Sequence, residues 1–504
     1  MSKKRISKIL TLIILPAVIF STGAVADISD PGEYFRKNVV ERKLKNGITL
    51  IMMNRGYSPI VSLHIAFKVG SSDESYQTQG AAHILEHMLF KGTDRIGTKD
   101  YAREKILLDK IEAAGETLDR LKLQNPGSRE IAGLEKELQK LNEEHAQYVV
   151  SSPYDRLYTS MGGVGFNAST SKDMTGYYIE LPSERIESWA DIESERLRKP
   201  VLREYYLERN NILEERLMRY GSNGRGYLNE TFFAAAYSAH PYRHPVIGWE
   251  SSIKYMSIND IRRFYNEYYI PSRMTITIVG RHDPEKTYQT IKKYFENIET
   301  KPEPGEVKVI EPPQTGEKRV EVYFNARPLL MMGWKKPTAP HRDDYVFDML
   351  SSILGDGNSS RLHKTLVLDK KIATSVYAWN GAPGSRYDNM FIVYASPAEG
   401  VNPEQVKDEI LAEIDRLRKE IMPDELDRVR NMMESSFVFM LDNNDGIAHQ
   451  LSYYQTVSGN WRYITDYMRK ISGITPQDIT GVIDKYINDR NRTTAILRDN
   501  RNAK

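Results

Sequence analysis

Between Glu299 and Lys318 the chain carries four prolines, two glycines and many charges, and the order of strand-like and helical segments before that stretch is repeated after it. Proline and glycine at this density end regular structure, so the stretch reads as a linker, 299–318. Ahead of it, Val39 to Arg55 reads as two strands around the turn Lys45-Asn46-Gly47. Ser62 to Val69 alternates, with Leu63, Ile65 and Phe67 on one face. A helix over Ala81 to Phe90, strands over Gly162 to Pro182, helices over Ser183 to Arg196 and Glu204 to Arg219, a strand over Met274 to Gly280 and a helix over Pro284 to Phe295 follow. Behind the linker, Val320 to Trp334 is strand-like, Asp343 to Leu354 helical and Ser375 to Ser396 strand-like. Helices over Pro403 to Glu420 and Asp424 to Leu441 and a last strand over Ala495 to Arg498 complete the restart. A repeated order of this kind predicts a duplicated α+β unit: two mixed sheets flanked by helices, over 36–298 and 319–500.

One segment interrupts the first half. Residues Lys99 to Val150 hold two highly charged helical stretches around the breaker Asn125-Pro126-Gly127-Ser128, and in the second Ile131, Leu134, Leu138 and Leu141 recur at three and four. That narrow apolar seam fits a helical hairpin. Two readings remain open, a docking arm and a surface hairpin packed on its own body.

The N-terminus opens MSKKRISK, continues with twelve mostly apolar residues from Ile9 to Phe20, and ends in Ser21-Thr22-Gly23-Ala24-Val25-Ala26. A basic start, a short apolar run and small residues in the Ala-x-Ala pattern form a secretory signal peptide, 1–26, cleaved after Ala26 into a periplasm. A spanning helix needs about 20 apolar residues, so an uncleaved anchor is the weaker reading. The chain has no cysteine, which excludes disulfides, thiolate metal sites and a Cys nucleophile. Any catalytic metal must therefore be held by His, Asp or Glu. The formal net charge is +2 and no basic patch stands out, which argues against nucleic-acid partners. No long apolar span follows the signal, so no membrane span is expected in the mature chain.

The strongest chemical signal is His83-Ile84-Leu85-Glu86-His87. On a helix, positions one turn apart share a face, so both imidazoles can reach one ion. Glu86 flanks the same point. Two neutral imidazoles with a carboxylate beside them are what a zinc peptidase needs: ligands for Zn²⁺ and a base for the attacking water. The order HxxEH is the reverse of the commoner HExxH. The bland alternative, an amphipathic helix with satisfied histidines, requires two His and a Glu to be buried without a partner, which is costly. A third ligand is required. Candidates lie between Glu204 and Arg216, where Glu208 and Glu215 are seven apart and share a helix face. Spacing alone does not separate them from ordinary solvated glutamates.

The run Gly80 to Thr93, GAAHILEHMLFKGT, resembles the hallmark of the pitrilysin/insulinase family of metallopeptidases, which includes the mitochondrial processing peptidases. Asn167-Ala168-Ser169-Thr170 with Asp173, Thr175 and Tyr177, then His240-Pro241-Tyr242 and Tyr269-Ile270-Pro271, extend the resemblance, and Gly355 with Ser360-Arg361-Leu362 matches a weaker pattern in the second half. The resemblance covers roughly Val39 to Arg498. It implies two homologous α+β domains forming half of a clamshell, one zinc ion per chain, and hydrolysis of peptides or unfolded segments. It implies His83 and His87 as zinc ligands, Glu86 as general base, Glu215 as the distal ligand and Glu208 as its supporting acid. Glu215 lies several tens of residues further from the His motif than is usual, an excess the insertion explains. Asn167 to Thr170 resemble the edge strand that binds substrate by strand addition.

One departure matters. Many active members carry an Arg and a Tyr in the second half that contact substrate near the metal; here those positions read Val367 and Thr374, and the second half has no HxxEH equivalent. The resemblance therefore implies a dimer, homo- or hetero-, with a heterodimer favoured in which a related chain without zinc supplies the Arg and Tyr. The alternative function is a non-catalytic assembly or peptide-binding subunit of the same fold.

Overall fold

The computed structural model describes residues 31–56 and 58–500, so the signal peptide expected over 1–26 lies outside the described residues. Among these residues the strands form two mixed sheets. The first contains β1 (Val39–Lys43), β2 (Thr49–Asn54), β3 (Ile60–Phe67), β4 (Val164–Thr170), β5 (Thr175–Pro182) and β6 (Met274–Gly280), in the order β1-β2-β6-β3-β5-β4. The second contains β7 (Lys318–Phe324), β8 (Leu329–Lys336), β9 (Ala373–Ala382), β10 (Asn389–Pro397) and β11 (Arg492–Asp499), in the order β7-β11-β8-β10-β9. Without β1 the two orders correspond strand for strand. In each sheet one pair is parallel, β2 with β6 and β7 with β11, and the other pairs are antiparallel. This is the duplicated α+β architecture that the repeated order predicts.

The central strand β6, Met-Thr-Ile-Thr-Ile-Val-Gly, is buried along its whole length, as a strand covered on both faces must be. On its neighbour β3, Leu63, Ile65 and Phe67 pack with Ala81, Ala82, Ile84, Leu85 and Met88 of the helix Ala81–Met88 in one core. The helix Asn444–Ser458 contributes Ile447, Ala448 and Leu451 to a core with Ile51, Met53 and Val279 of the same sheet. That helix belongs to the second half of the sequence. Reciprocally, Gly224–Ala236 from the first half lays Leu228, Phe232 and Phe233 on the second sheet, against Met331, Ile392 and Leu497. Each half thus lends a helix to the other, and neither helix is part of the pattern read from the sequence.

Two further features join the halves. Residues 299–317 carry no helix or strand yet are strapped to the body. Glu311 accepts the backbone N–H groups of Ser238, Ala239 and His240 at 2.7, 2.9 and 3.0 Å, and Glu306 pairs with Lys68 at 2.8 Å. The Tyr242 hydroxyl lies 2.8 Å from both oxygens of Asp173, which also accepts the Ser385 N–H at 2.7 Å, while buried Arg386 pairs with buried Asp73 at 2.8 Å. His240-Pro241-Tyr242 and Asp173 are therefore parts of the joint.

The insertion is a helical hairpin, Tyr101–Gln124 and Glu130–Ala146, and it packs on its own body. Asp119 holds Arg209 through two bonds of 2.6 and 2.9 Å, Glu112 holds Arg262, and Gly115 abuts Tyr206 so closely that a Cβ there would lie 2.0 Å from the ring. At its base, fully buried Glu104 binds His145 at 2.9 Å and Arg203 at 2.8 Å. In this structure the hairpin is seated on the first half along its length.

Candidate metal centre

The helix Ala81–Met88 is short, and its position is set from both ends. Gly80 begins it at φ +102°, a left-handed conformation that favours glycine, and a Cβ there would meet Ile247 O at 2.6 Å. The buried side chain of Glu74 accepts the N–H groups of Gly80 at 2.8 Å and Ala82 at 2.9 Å, satisfying two donors that the start of the helix leaves free. Beyond its C-terminus, Arg203 binds the carbonyls of Lys91, Thr93 and Ile96. With Ile84, Leu85 and Met88 turned into the core, the polar residues of the helix fall on the remaining face.

That face meets a second helix, Tyr205–Arg216, on which Glu208 and Glu215 sit two turns apart. His83 Nε2 is 3.8 Å from Glu215 Oε1, and His87 Nε2 is 3.7 Å from Glu215 Oε2. One ligand atom from each of the three residues lies within 4.8 Å of the others, and among the described residues this is the group of His, Asp and Glu that could hold a metal ion. His87 Nδ1 is 2.9 Å from Glu208 Oε1, the ring N–H donating to the carboxylate. Glu208 also pairs with Lys91 at 2.6 Å, and Lys91 reaches Glu204 at 3.3 Å. Glu86 stands beside the three, its Oε2 accepting the Thr170 hydroxyl at 2.5 Å.

Burial dominates the electrostatics. It depresses His83 to about 3, with the neighbouring His87 and Arg219 acting the same way, so this imidazole is neutral near pH 7. Burial also works to lower His87, but the hydrogen bond and charge of Glu208 overcome it and the net shift is upward. For Glu208, burial works upward, yet the bonds from His87 and Lys91 hold it down at about 2. Glu86 is shifted upward by burial, against the Thr170 bond.

The residues fit a zinc ion by their own geometry. Two ligands of a tetrahedral site with bonds of about 2.1 Å are roughly 3.4 Å apart, close to the two His–Glu215 separations. The Glu208 bond fixes the proton of His87 on Nδ1 and leaves the Nε2 lone pair facing Glu215, the usual arrangement behind a ligating histidine. Glu86 is outside the group that could share an ion.

The structure thus gathers His83, Glu86, His87, Glu208 and Glu215 at one place. It distributes Asn167 to Thr170 along β4, the edge strand of the first sheet. Asn167 and Ser169 are exposed, Ala168 is buried, and Thr170 turns to Glu86. Phe90, Asn167 and residues 149–153 at the end of the hairpin wall a pocket of about 390 Å³ that opens onto Glu86 and His87. Val367 packs against the second core, and Thr374 is the second residue of β9 with its hydroxyl on Ser396 O at 3.2 Å. Sequence reasoning missed Thr170 as a partner of Glu86, Lys91 as a partner of Glu208, and Arg219, whose Nη2 is 2.7 Å from Glu215 Oε1. Arg219 is four residues past Glu215, so helical spacing could have found it.

Comparison with known proteins extends these observations. The family model described as insulinase (peptidase family M16) matches residues 50–115 and 150–249, and that of the peptidase M16 inactive domain matches 255–433. The unmatched stretch inside the first falls in the helical hairpin. The chain is 27% identical over 464 residues to the zinc protease PqqE of Helicobacter pylori, covering 90% of this chain and 91% of that one. It is 22% identical over 466 residues to the probable mitochondrial-processing peptidase subunit beta of Arabidopsis thaliana, covering 89% and 76%. Among solved structures, a protease from Helicobacter pylori superposes with a TM-score of 0.77 at 25% identity, over 91% of this chain and 99% of that one. The periplasmic protease PqqL from Escherichia coli gives a TM-score of 0.67 at 15% identity, over 92% of this chain but 48% of that one. No helix among the described residues is long and apolar enough to cross a membrane.

Proposed function

Because the chain belongs to the insulinase family of peptidases, family M16, we propose that it is a zinc-dependent endopeptidase whose ion is held by His83, His87 and Glu215 and whose proton carrier is Glu86. The observation that carries the reading is the convergence of these four side chains from two helices, with Glu86 next to the ligand set but not in it. A zinc ion there supplies Lewis acidity, polarising a scissile carbonyl and making water acidic enough to attack at neutral pH. Glu86 accepts the proton of the attacking water and returns it to the leaving nitrogen. Thr170 pins Oε2 of that carboxylate, and burial raises its proton affinity toward the range a general base needs. Glu208 holds His87 in the ligating tautomer, and Lys91 holds Glu208. The free edge of β4 offers backbone groups to an extended peptide, with Asn167 and Ser169 exposed along it.

The substrates are peptides or unfolded segments. The active unit is a dimer, and the span of this chain over about half of PqqL supports a body that is completed by a second, similar one. With Val367 and Thr374 in the second half, a heterodimer with a related chain lacking zinc is the favoured form. The precursor carries a signal peptide cleaved after Ala26, and the mature protein works in the periplasm.

The test is metal content and cleavage of a quenched peptide library by the mature chain, beside Glu86→Gln. One zinc per chain, with cleavage lost by a factor of about 10²–10⁴ in the variant, supports the reading. Zinc without cleavage calls for the partner chain. A chain that takes up no zinc overturns the peptidase reading in favour of a non-catalytic subunit. Full activity from a closed homodimer would refute the heterodimer.

A further inference from the structure

Past Glu215 the helix Tyr205–Arg216 continues into a π-helical segment, Leu217–Gly221, that carries Arg219. The guanidinium of Arg219 spends Nη2 on Glu215 Oε1 at 2.7 Å, yet 59% of the side chain remains exposed, against 18% for Glu215. Its charge reaches into the site, where it acts on both His83 and Glu86. The other cation of the site, Lys91, is committed to Glu204 and Glu208 and is 22% exposed. Arg219 is therefore the solvent-facing positive group at this centre.

The balance of charge depends on the ion. Without it, Arg219 and Glu215 neutralise one another. With a divalent ion among His83, His87 and Glu215, the Glu215 charge is spent on the ion and Arg219 is no longer balanced. A guanidinium carries five N–H donors in a planar fork that matches a carboxylate bidentately. Glu215 engages that fork through one nitrogen, Nη2.

Resting on the peptidase reading above, we infer that Arg219 is a substrate-binding residue that recognises a carboxylate on the peptide close to the scissile bond, from an acidic side chain or from the peptide's C-terminus. A charge-assisted pair of this kind gives a preference for anionic over neutral substrates. Loss of Arg219 removes the preference while leaving the ion in place: His83, His87 and Glu215 are retained, Ile212 and the Arg216–Glu230 pair still fix the Glu215 helix, and the lost hydrogen bond is offset by removal of a like charge beside the ion.

The experiment uses the full mature chain with Glu86→Gln, which binds peptide without turnover, loaded with zinc. Fluorescent peptides are compared in pairs: Glu against Gln in the positions flanking the cleavage site, and free C-terminus against amide. Binding is read by anisotropy and zinc affinity by chelator competition. The expected result is roughly tenfold tighter binding of one anionic member, about 1.4 kcal/mol. This preference should vanish in Arg219→Ala, persist in part in Arg219→Lys, and come with unchanged zinc affinity. Preference for Glu over Gln identifies the side chain as the source, and preference for the free acid over the amide identifies the terminus. Zinc bound without any anionic preference, or a preference that survives Arg219→Ala, overturns the inference alone. Zinc affinity lost with Arg219→Ala and Arg219→Lys also overturns it, since Arg219 would then only position Glu215. A parent chain that binds no zinc sinks the peptidase reading and this inference with it.

Discussion

Removing Glu208 tests whether the zinc affinity of this site is built by residues that never touch the ion. Glu208 is 12% exposed and accepts the Nδ1–H of His87 at 2.9 Å, so it fixes both the ring's orientation and its tautomer. Loss of such a partner behind a ligating histidine costs 10–100-fold in metal affinity, about 1.4–2.7 kcal/mol. Glu208→Ala also frees Lys91, but that side chain is partly exposed and keeps Glu204 at 3.3 Å, so its stranding adds little. Glu208→Gln retains an oxygen that can accept from Nδ1 and loses the charge, so its effect should be the smaller, at about tenfold or below. The assay is competition for zinc against a chromophoric chelator near neutral pH, with denaturant unfolding of the metal-free proteins as a control. A Glu208→Ala protein with unchanged zinc affinity would refute the reasoning. So would a loss of affinity matched by an equal loss of metal-free stability, because the effect would then be global.

Two other substitutions probe the seat of the hairpin that walls the pocket. Gly115→Ala would put a Cβ 2.0 Å from Tyr206 Cζ, and overpacking of this kind costs about 1–3 kcal/mol, outweighing the roughly 1 kcal/mol that alanine gains in a helix; a lowered urea midpoint is expected, and a raised one would mean that the helix sits more loosely than the distance says. Glu104 is buried, which works upward, but His145 and Arg203 hold it down at about 2, against 4.5 when unperturbed. Its contribution to stability is therefore complete above about pH 4.5 and is lost as pH falls toward 2. Glu104→Gln should lower stability near neutral pH and flatten that acid limb in urea midpoints measured against pH, and an unchanged limb would contradict the assignment.

The parts of this molecule that were legible in the sequence are those whose physics is local. β3 is buried on both faces, yet its large apolar side chains alternate with Ser62, His64 and Ala66, so the period shows in Leu63, Ile65 and Phe67. His83, Glu86 and His87 are legible because one helical turn brings them together whatever the rest of the chain does. Glu215 is different: its approach to His87 depends on how two helices pack across residues 89–204, and spacing within its own helix could not choose it over other glutamates. Only resemblance to a family reached it. Thr170 was read as part of a substrate-binding strand, but the register of β4 on β5, with Thr170 opposite Thr175, turns its hydroxyl to Glu86. The helix Gly224–Ala236, which is not in the pattern read from the sequence, begins Gly-Arg-Gly. The first glycine is needed because a Cβ there would lie 2.9 Å from Ala326 in the second half.

That same helix gives the second half a share in the candidate metal site although it carries no metal motif. The segment Leu217–Gly221 joins the glutamate helix directly to Gly224–Ala236, which is packed on the second sheet. The join is tight: Arg216, next to Glu215, pairs with Glu230 at 2.7 Å with both side chains largely buried, and a Cβ on Gly226 would collide with the carbonyl of Arg219. Glu215 and Arg219 are thus anchored between the first core, which holds Ile212, and the second sheet, which holds Leu228 and Phe232. Glu215, the proposed third ligand, therefore stands on a segment that both halves hold, whereas His83 and His87 lie on a helix packed in the first core. The duplicated half without a motif thus packs against the segment that follows the proposed third ligand, and the two halves meet again at the joint of Asp73, Asp173, Tyr242 and Arg386.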